Sequence, residues 1–61
     1  MSWSSIGTLK YNGEYPVILH EKIELDFYAE DIEYVQEEIA EGSRVAFEAN
    51  NNNFILDYEV I

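Results

Sequence analysis

The chain has no cysteine. Disulfides, thiolate zinc sites and cysteine nucleophiles are therefore excluded as ways to staple or use the domain. Bases are scarce: Lys10, Lys22 and Arg44 are the only three, and His20 is the only histidine. Strong binding to a phosphate backbone needs Lys and Arg to neutralise phosphates, so this composition argues against it. No apolar run approaches the length of a membrane-spanning helix. Met1-Ser2-Trp3-Ser4-Ser5 lacks the charged start and apolar core of a signal peptide, so a soluble, cytoplasmic protein is expected. With three glycines in the chain, no phosphate-cradling glycine loop is present.

What is present is apolar and acidic. The 61 residues are 48% hydrophobic and 15% aromatic, too rich for a disordered tail. They are expected to form one domain, residues 1–61. A chain this short buries only about 60% of its unfolded surface. Large aromatics are a plausible way to build its small core. Thirteen acids set against three bases leave a formal net charge of −10. Such a surface favours basic partners. The plain alternative is that acidity only keeps an apolar-rich protein monomeric.

Along the chain the hydrophobic spacing has mostly period two. A first strand is expected over Trp3–Tyr11, with Trp3, Ser5, Gly7, Leu9 and Tyr11 on one face and Gly7 permitting a bend. Asn12-Gly13 is a strong hairpin signal. A second strand over Glu14–His20 contains Pro16, which lacks an amide donor and suggests an edge or a bulge. A third strand, Ile23–Tyr28, alternates cleanly, with Ile23, Leu25 and Phe27 inward. Then the period changes. Ile32, Val35 and Ile39 share one face of a short helix, with Asp31 expected as N-cap and Gly42 as the stop. A fourth strand covers Arg44–Ala49, with Val45, Phe47 and Ala49 inward. Asn50-Asn51-Asn52-Asn53 makes a turn, because asparagine tolerates left-handed geometry and bonds its own backbone. A fifth strand runs Phe54–Ile61, with Phe54, Leu56, Tyr58 and Val60 on one face. The expected fold is mainly β: a small five-stranded antiparallel OB-like barrel with one short helix between strands 3 and 4. Closure would remove exposed sheet edges.

The order of these pieces resembles a bacterial cold-shock domain. Gly7-Thr8-Leu9-Lys10-Tyr11-Asn12 is similar to the family's opening G-T-V-K-W-F-N. Glu41-Gly42-Ser43-Arg44-Val45-Ala46-Phe47-Glu48 is similar to its E-G-Q-x-V-x-F-E/D. Leu25-Asp26-Phe27-Tyr28 stands where the family has V-F-V-H, and Ile32 matches a later isoleucine. The resemblance covers most of the chain. It implies a fold that stacks bases on aromatics and attracts their backbone with lysines. The binding motif itself departs. Where the family reads roughly K-G-F-G-F-I, this chain has Gly13-Glu14-Tyr15-Pro16-Val17-Ile18, and Asp26 falls where a base-stacking phenylalanine belongs. A divergent domain that has lost most of its RNA-binding motif is the expectation. The remnant platform would be Lys10, Tyr11, Tyr15 and Tyr28. The bland reading is that these tyrosines are amphipathic cover for a barrel face.

Six of the acids lie between Glu30 and Glu41 with no base among them. Glu37 and Glu41 are like charges at i, i+4, which weakens an isolated helix by a few tenths of a kcal/mol. The acids are therefore not there to stabilise the helix. Glu30, Glu33, Glu37, Glu38 and Glu41 are the candidate partner-binding face, with Glu24, Asp26, Asp57 and Glu59 adding to it. General acid–base work needs a buried, shifted carboxyl, and these acids read as exposed. No enzyme activity, cofactor or dedicated metal site is expected, since no loop alternates acid ligands around a turn glycine. The expected function is a non-enzymatic interaction module that binds a basic or nucleic-acid-binding protein, as a regulator or nucleic-acid mimic. The alternative is a divergent single-stranded nucleic-acid binder using Lys10, Tyr11, Tyr15 and Tyr28. A monomer or weak homodimer is expected, the latter through an apolar patch of Ile55, Ile61 and Trp3.

Overall fold

The computed structural model describes all residues, Met1–Ile61. Five strands and one helix follow in the order β1 (Ser2–Asn12), β2 (Tyr15–His20), β3 (Ile23–Phe27), α1 (Ala29–Glu38), β4 (Arg44–Asn50) and β5 (Phe54–Val60). The strands close into one barrel in the order β1-β2-β3-β5-β4. The sheet is mixed, which corrects the all-antiparallel expectation. β3 and β5 run parallel and share only two register pairs, Asp26 with Phe54 and Phe27 with Ile55. The reason is connectivity. α1 carries the chain across the barrel end, β4 returns against β1, and β5 then enters beside β3 in the same direction.

β1 is long because it serves two neighbours. Ser2–Thr8 pair with β4 and Thr8–Asn12 pair with β2. Gly7 sits at the changeover, where β2 crosses closely. A Cβ built there would lie 2.4 Å from the Ile18 Cγ2 and 2.7 Å from the Leu19 carbonyl oxygen. Only glycine lets the strand pass.

The first hairpin differs slightly from the Asn12-Gly13 reading. Asn12 pairs with Tyr15, so the two loop residues are Gly13 and Glu14. Gly13 has φ +69°, as type II′ turns demand of their first central residue. Pro16 is not at a sheet edge, because β2 lies between β1 and β3. It pairs with Tyr11 on one side, while the β3 register begins only at Val17. The missing amide is tolerated at this strand start.

The core is a cluster of ten buried side chains, including Leu9, Ile18, Leu25, Val35, Val45 and Ile55. α1 contributes Val35, and Ile39 follows it just past the helix end. Helix start and stop both shift from expectation. Tyr28, not Asp31, is the N-cap, and no side chain caps it. The chain leaves β3 directly into the helix, so Asp31 falls in the first turn, with its amide donating to the Tyr28 carbonyl at 2.9 Å. The helix ends at Glu38. Gly42, at φ +92°, serves the Ala40–Ser43 turn instead, and its amide donates to the Leu9 carbonyl at 2.8 Å.

β5 corrects the face assignment. Glu48 pairs with Asp57 and Ala49 with Ile55, so Leu56 has no opposite number. This bulge flips the alternation. Ile55 is buried at 1% exposure, Leu56 is 48% exposed, and Tyr58 returns half-buried to the inside. The proposed homodimer patch of Ile55, Ile61 and Trp3 does not form. Ile55 is in the core and Trp3 packs edge-on against Phe47, 5.3 Å between centroids.

Candidate functional site

α1 turns its apolar stripe to the barrel and its acids to solvent. Glu30, Glu33, Glu37 and Glu38 are all exposed. Glu41 lies beyond the helix, and one of its carboxylate oxygens accepts the Tyr11 amide at 3.1 Å. It is tied to β1 instead of sharing the helix face. Glu37 and Glu38 occupy the last helical turn, which contains no base. That is the negative end of the helix dipole, where an acid costs about 0.3–1 kcal/mol at low ionic strength.

No carboxylate in the protein pairs with a lysine or arginine. The one close pair of opposite types is His20 with Glu21, at 3.8 Å. Thirteen acids thus present an almost uncompensated negative surface. No three His, Asp or Glu side chains converge on one point.

Beside the start of α1 lies a slot of about 340 Å³, lined by Tyr15, Pro16, Asp26, Phe27, Ala29, Ile32 and Phe54. Its walls are pinned by polar ties. The Gln36 side-chain amide donates to the Glu14 carbonyl at 3.0 Å, holding α1 to the first hairpin. The Asp26 amide donates to the Asn53 carbonyl at 2.9 Å. Asn50 is the hub. Its Oδ1 accepts the amides of Asn52 and Phe54 at 2.9 and 3.0 Å, and its Nδ2 donates to the Tyr28 hydroxyl at 3.0 Å. Tyr28 in turn stacks on Phe54, 5.0 Å between centroids and 20° between planes. The asparagine run does make the expected turn, with Asn53 at φ +65°. The bond from Asn50 to Tyr28 links residues 22 apart in the chain, so no local signal announced it.

The four residues of the base-stacking alternative are dispersed in role. Lys10 projects outward from β1, whereas Tyr11 is half-buried against the core. Tyr15 is 62% exposed at the slot. Tyr28 is engaged by Asn50 and Phe54. Asp26, which the sequence set among the added acids and at the position of the family's base-stacking phenylalanine, is brought into the slot by the β3–β5 seam.

Tyr58 carries the one clear pKa displacement. Burial raises its hydroxyl above the ordinary value, and the nearby Asp31, Tyr34 and Asp57 raise it further. Its ring packs edge-on to Phe27, 5.2 Å between centroids. It reads as a core-edge tyrosine.

Fold and surface together define a small closed mixed β-barrel with one helix and a bare acidic exterior. No helix is long and apolar enough to cross a membrane. No protein-family model matches the chain, and neither does any curated protein or solved structure.

Proposed function

We propose that this chain is a small, non-enzymatic interaction module of the cytoplasm that binds a basic protein surface. In its sharpest form the partner is a nucleic-acid-binding protein, and the chain regulates it by occupying the groove as a nucleic-acid mimic. The observation that carries this reading is the bare acidic face of α1. Glu30, Glu33, Glu37 and Glu38 are exposed without a basic neighbour, and two of them sit at the unfavourable end of the helix. Acids that cost the helix stability have their use elsewhere. Glu41 extends the same field from the adjoining turn.

The barrel is compatible with an OB-like fold, in which loops 1–2 and 4–5 commonly bind oligonucleotides. The short matches at Gly7–Asn12 and Glu41–Glu48 support descent from a cold-shock-like domain. A net charge of −10 opposes phosphate and speeds encounter with a basic surface. The second reading, a divergent single-strand binder, rests on the exposed Tyr15 beside an apolar slot.

Affinity capture from lysate at low and high ionic strength tests the first reading. Basic, nucleic-acid-binding proteins should be retained at low salt. A variant with Glu30, Glu33, Glu37 and Glu38 all changed to Gln should lose them. Recovery of the same proteins by both forms would remove the acidic face from the explanation. Quenching of Trp3 or tyrosine fluorescence by oligo-dT at low salt tests the second, and an unchanged signal at high oligonucleotide concentration rules it out.

A further inference from the structure

We propose, on the strength of the basic-partner reading above, that the slot beside α1 is the anchor for one arginine side chain of that partner. Its walls and its single charge fit the two halves of that side chain. Pro16, Phe27, Ile32 and Phe54 offer apolar surface to an aliphatic stem. Asp26 is the only charged residue among the lining residues. Its carboxylate is exposed and has neither a hydrogen bond nor an ion pair within the protein, so both oxygens are free for a guanidinium fork.

Tyr15 lines the same slot and is 62% exposed. A planar, weakly hydrated guanidinium stacks on such a ring, which favours arginine over the compact, strongly hydrated ammonium of lysine. The positive end of the α1 dipole lies close, at Ala29, and would oppose a cation alone. Glu30 and Asp31 in the first turn offset it. A volume of about 340 Å³ is at the small end of ligand sites, in scale with one side chain.

The slot is also preformed. The ties from Gln36 to Glu14, from Asp26 to Asn53 and from Asn50 to Tyr28 hold three of its sides before anything binds. A preordered pocket spares the ordering cost of binding. A nucleobase would also fill an apolar slot, but its phosphates would face Asp26 and the acidic first turn of α1.

The test is a titration of the intact ¹⁵N-labelled protein at low salt with capped Gly-Gly-Xaa-Gly-Gly peptides, where Xaa is arginine, lysine or citrulline, and with oligo-dT. The arginine peptide should give saturable amide shifts at Tyr15, Asp26, Ala29, Ile32 and Phe54. Lysine should bind more weakly and citrulline weakest. Asp26→Asn should weaken the arginine peptide about five-fold, the scale of one exposed charge-assisted pair. Tyr15→Leu should weaken it as well, whereas Glu21→Gln, exposed on the β2–β3 turn and not among the slot's lining residues, should leave the slot shifts in place. Shifts confined to the helix acids, with the slot silent, would overturn the arginine anchor and leave the broader acidic reading standing. No saturable shift with any cationic peptide would overturn both. Slot shifts with oligo-dT and none with arginine would replace the anchor by a nucleobase site.

Discussion

Gly7→Ala is the sharpest test of how this barrel is held together. The new methyl carbon would start 2.4 Å from the Ile18 Cγ2 and 2.7 Å from the Leu19 carbonyl oxygen. The side chain can move, but the carbonyl belongs to the β2 backbone and cannot turn away. Overpacking of this kind costs about 1–3 kcal/mol. The φ of Gly7 is not in the left-handed region, so alanine also gains about 0.4–1 kcal/mol by restricting the unfolded chain. The contact with fixed backbone puts the overpacking cost in the upper half of its range, and offsetting that by about 1 kcal/mol leaves a net loss of about 1–2 kcal/mol. The whole stability of a domain this size is about 3–9 kcal/mol, so the loss is a large share of it. It corresponds to a drop in Tm of about 4–16 °C. Thermal and urea unfolding followed by circular dichroism and Trp3 fluorescence would read it, with an unchanged urea slope. Adding Ile18→Leu removes the closest methyl but leaves the carbonyl clash. The double variant should recover part of the loss, and the two changes should be coupled by about 0.5 kcal/mol or more. A Gly7→Ala protein as stable as the parent would refute the account of β1 crossing β2 at this point.

Three further outcomes follow from the same contacts. Glu37→Lys removes an acid from the negative helix end and pairs with Glu33 at i, i+4, so stability should rise by about 0.5–1.5 kcal/mol at low salt and less at high salt; a fall in Tm would contradict the view that these acids burden the fold. Asn50→Ala strips three hydrogen bonds and should cost about 1–3 kcal/mol, with faster amide exchange at Asn52 and Phe54; unchanged exchange would deny Asn50 its hub role. The raised Tyr58 pKa means that the unfolded tyrosine ionises first as pH rises, so stability present below its ordinary pKa is lost above it. Alkaline melts should show this loss in the parent, and a Tyr58→Phe variant with the same alkaline slope would rule it out.

Much of the fold was legible from period alone. β4 alternates as written, burying Val45, Phe47 and Ala49. β3 keeps the pattern only at Leu25 and Phe27, because Ile23, expected inward, stands 41% exposed at the strand start. The helix face of Ile32, Val35 and Ile39 was equally plain. β5 was misread, since Phe54-Ile55-Leu56 carries apolar residues at three successive positions. Such a run cannot show which residue the bulge ejects. The choice falls on Leu56 because Ala49 is matched to Ile55 across the seam. The helix cap was misread for a similar reason. Asp31 has the chemistry of a cap, but the Tyr28–Phe54 stack and the Asn50 bond fix the chain one turn earlier.

By itself the sequence determined the class, the strand count, the position of the helix and an acidic exterior. These follow from local periodicity and from composition, which no packing can alter. Only the tertiary structure decided that the barrel closes, that β3 and β5 meet in parallel, and that Asp26 comes to stand beside Tyr15 and Phe54. Those outcomes depend on contacts between residues far apart in the chain. A local pattern constrains each strand's faces, but it cannot say which strand will lie against which.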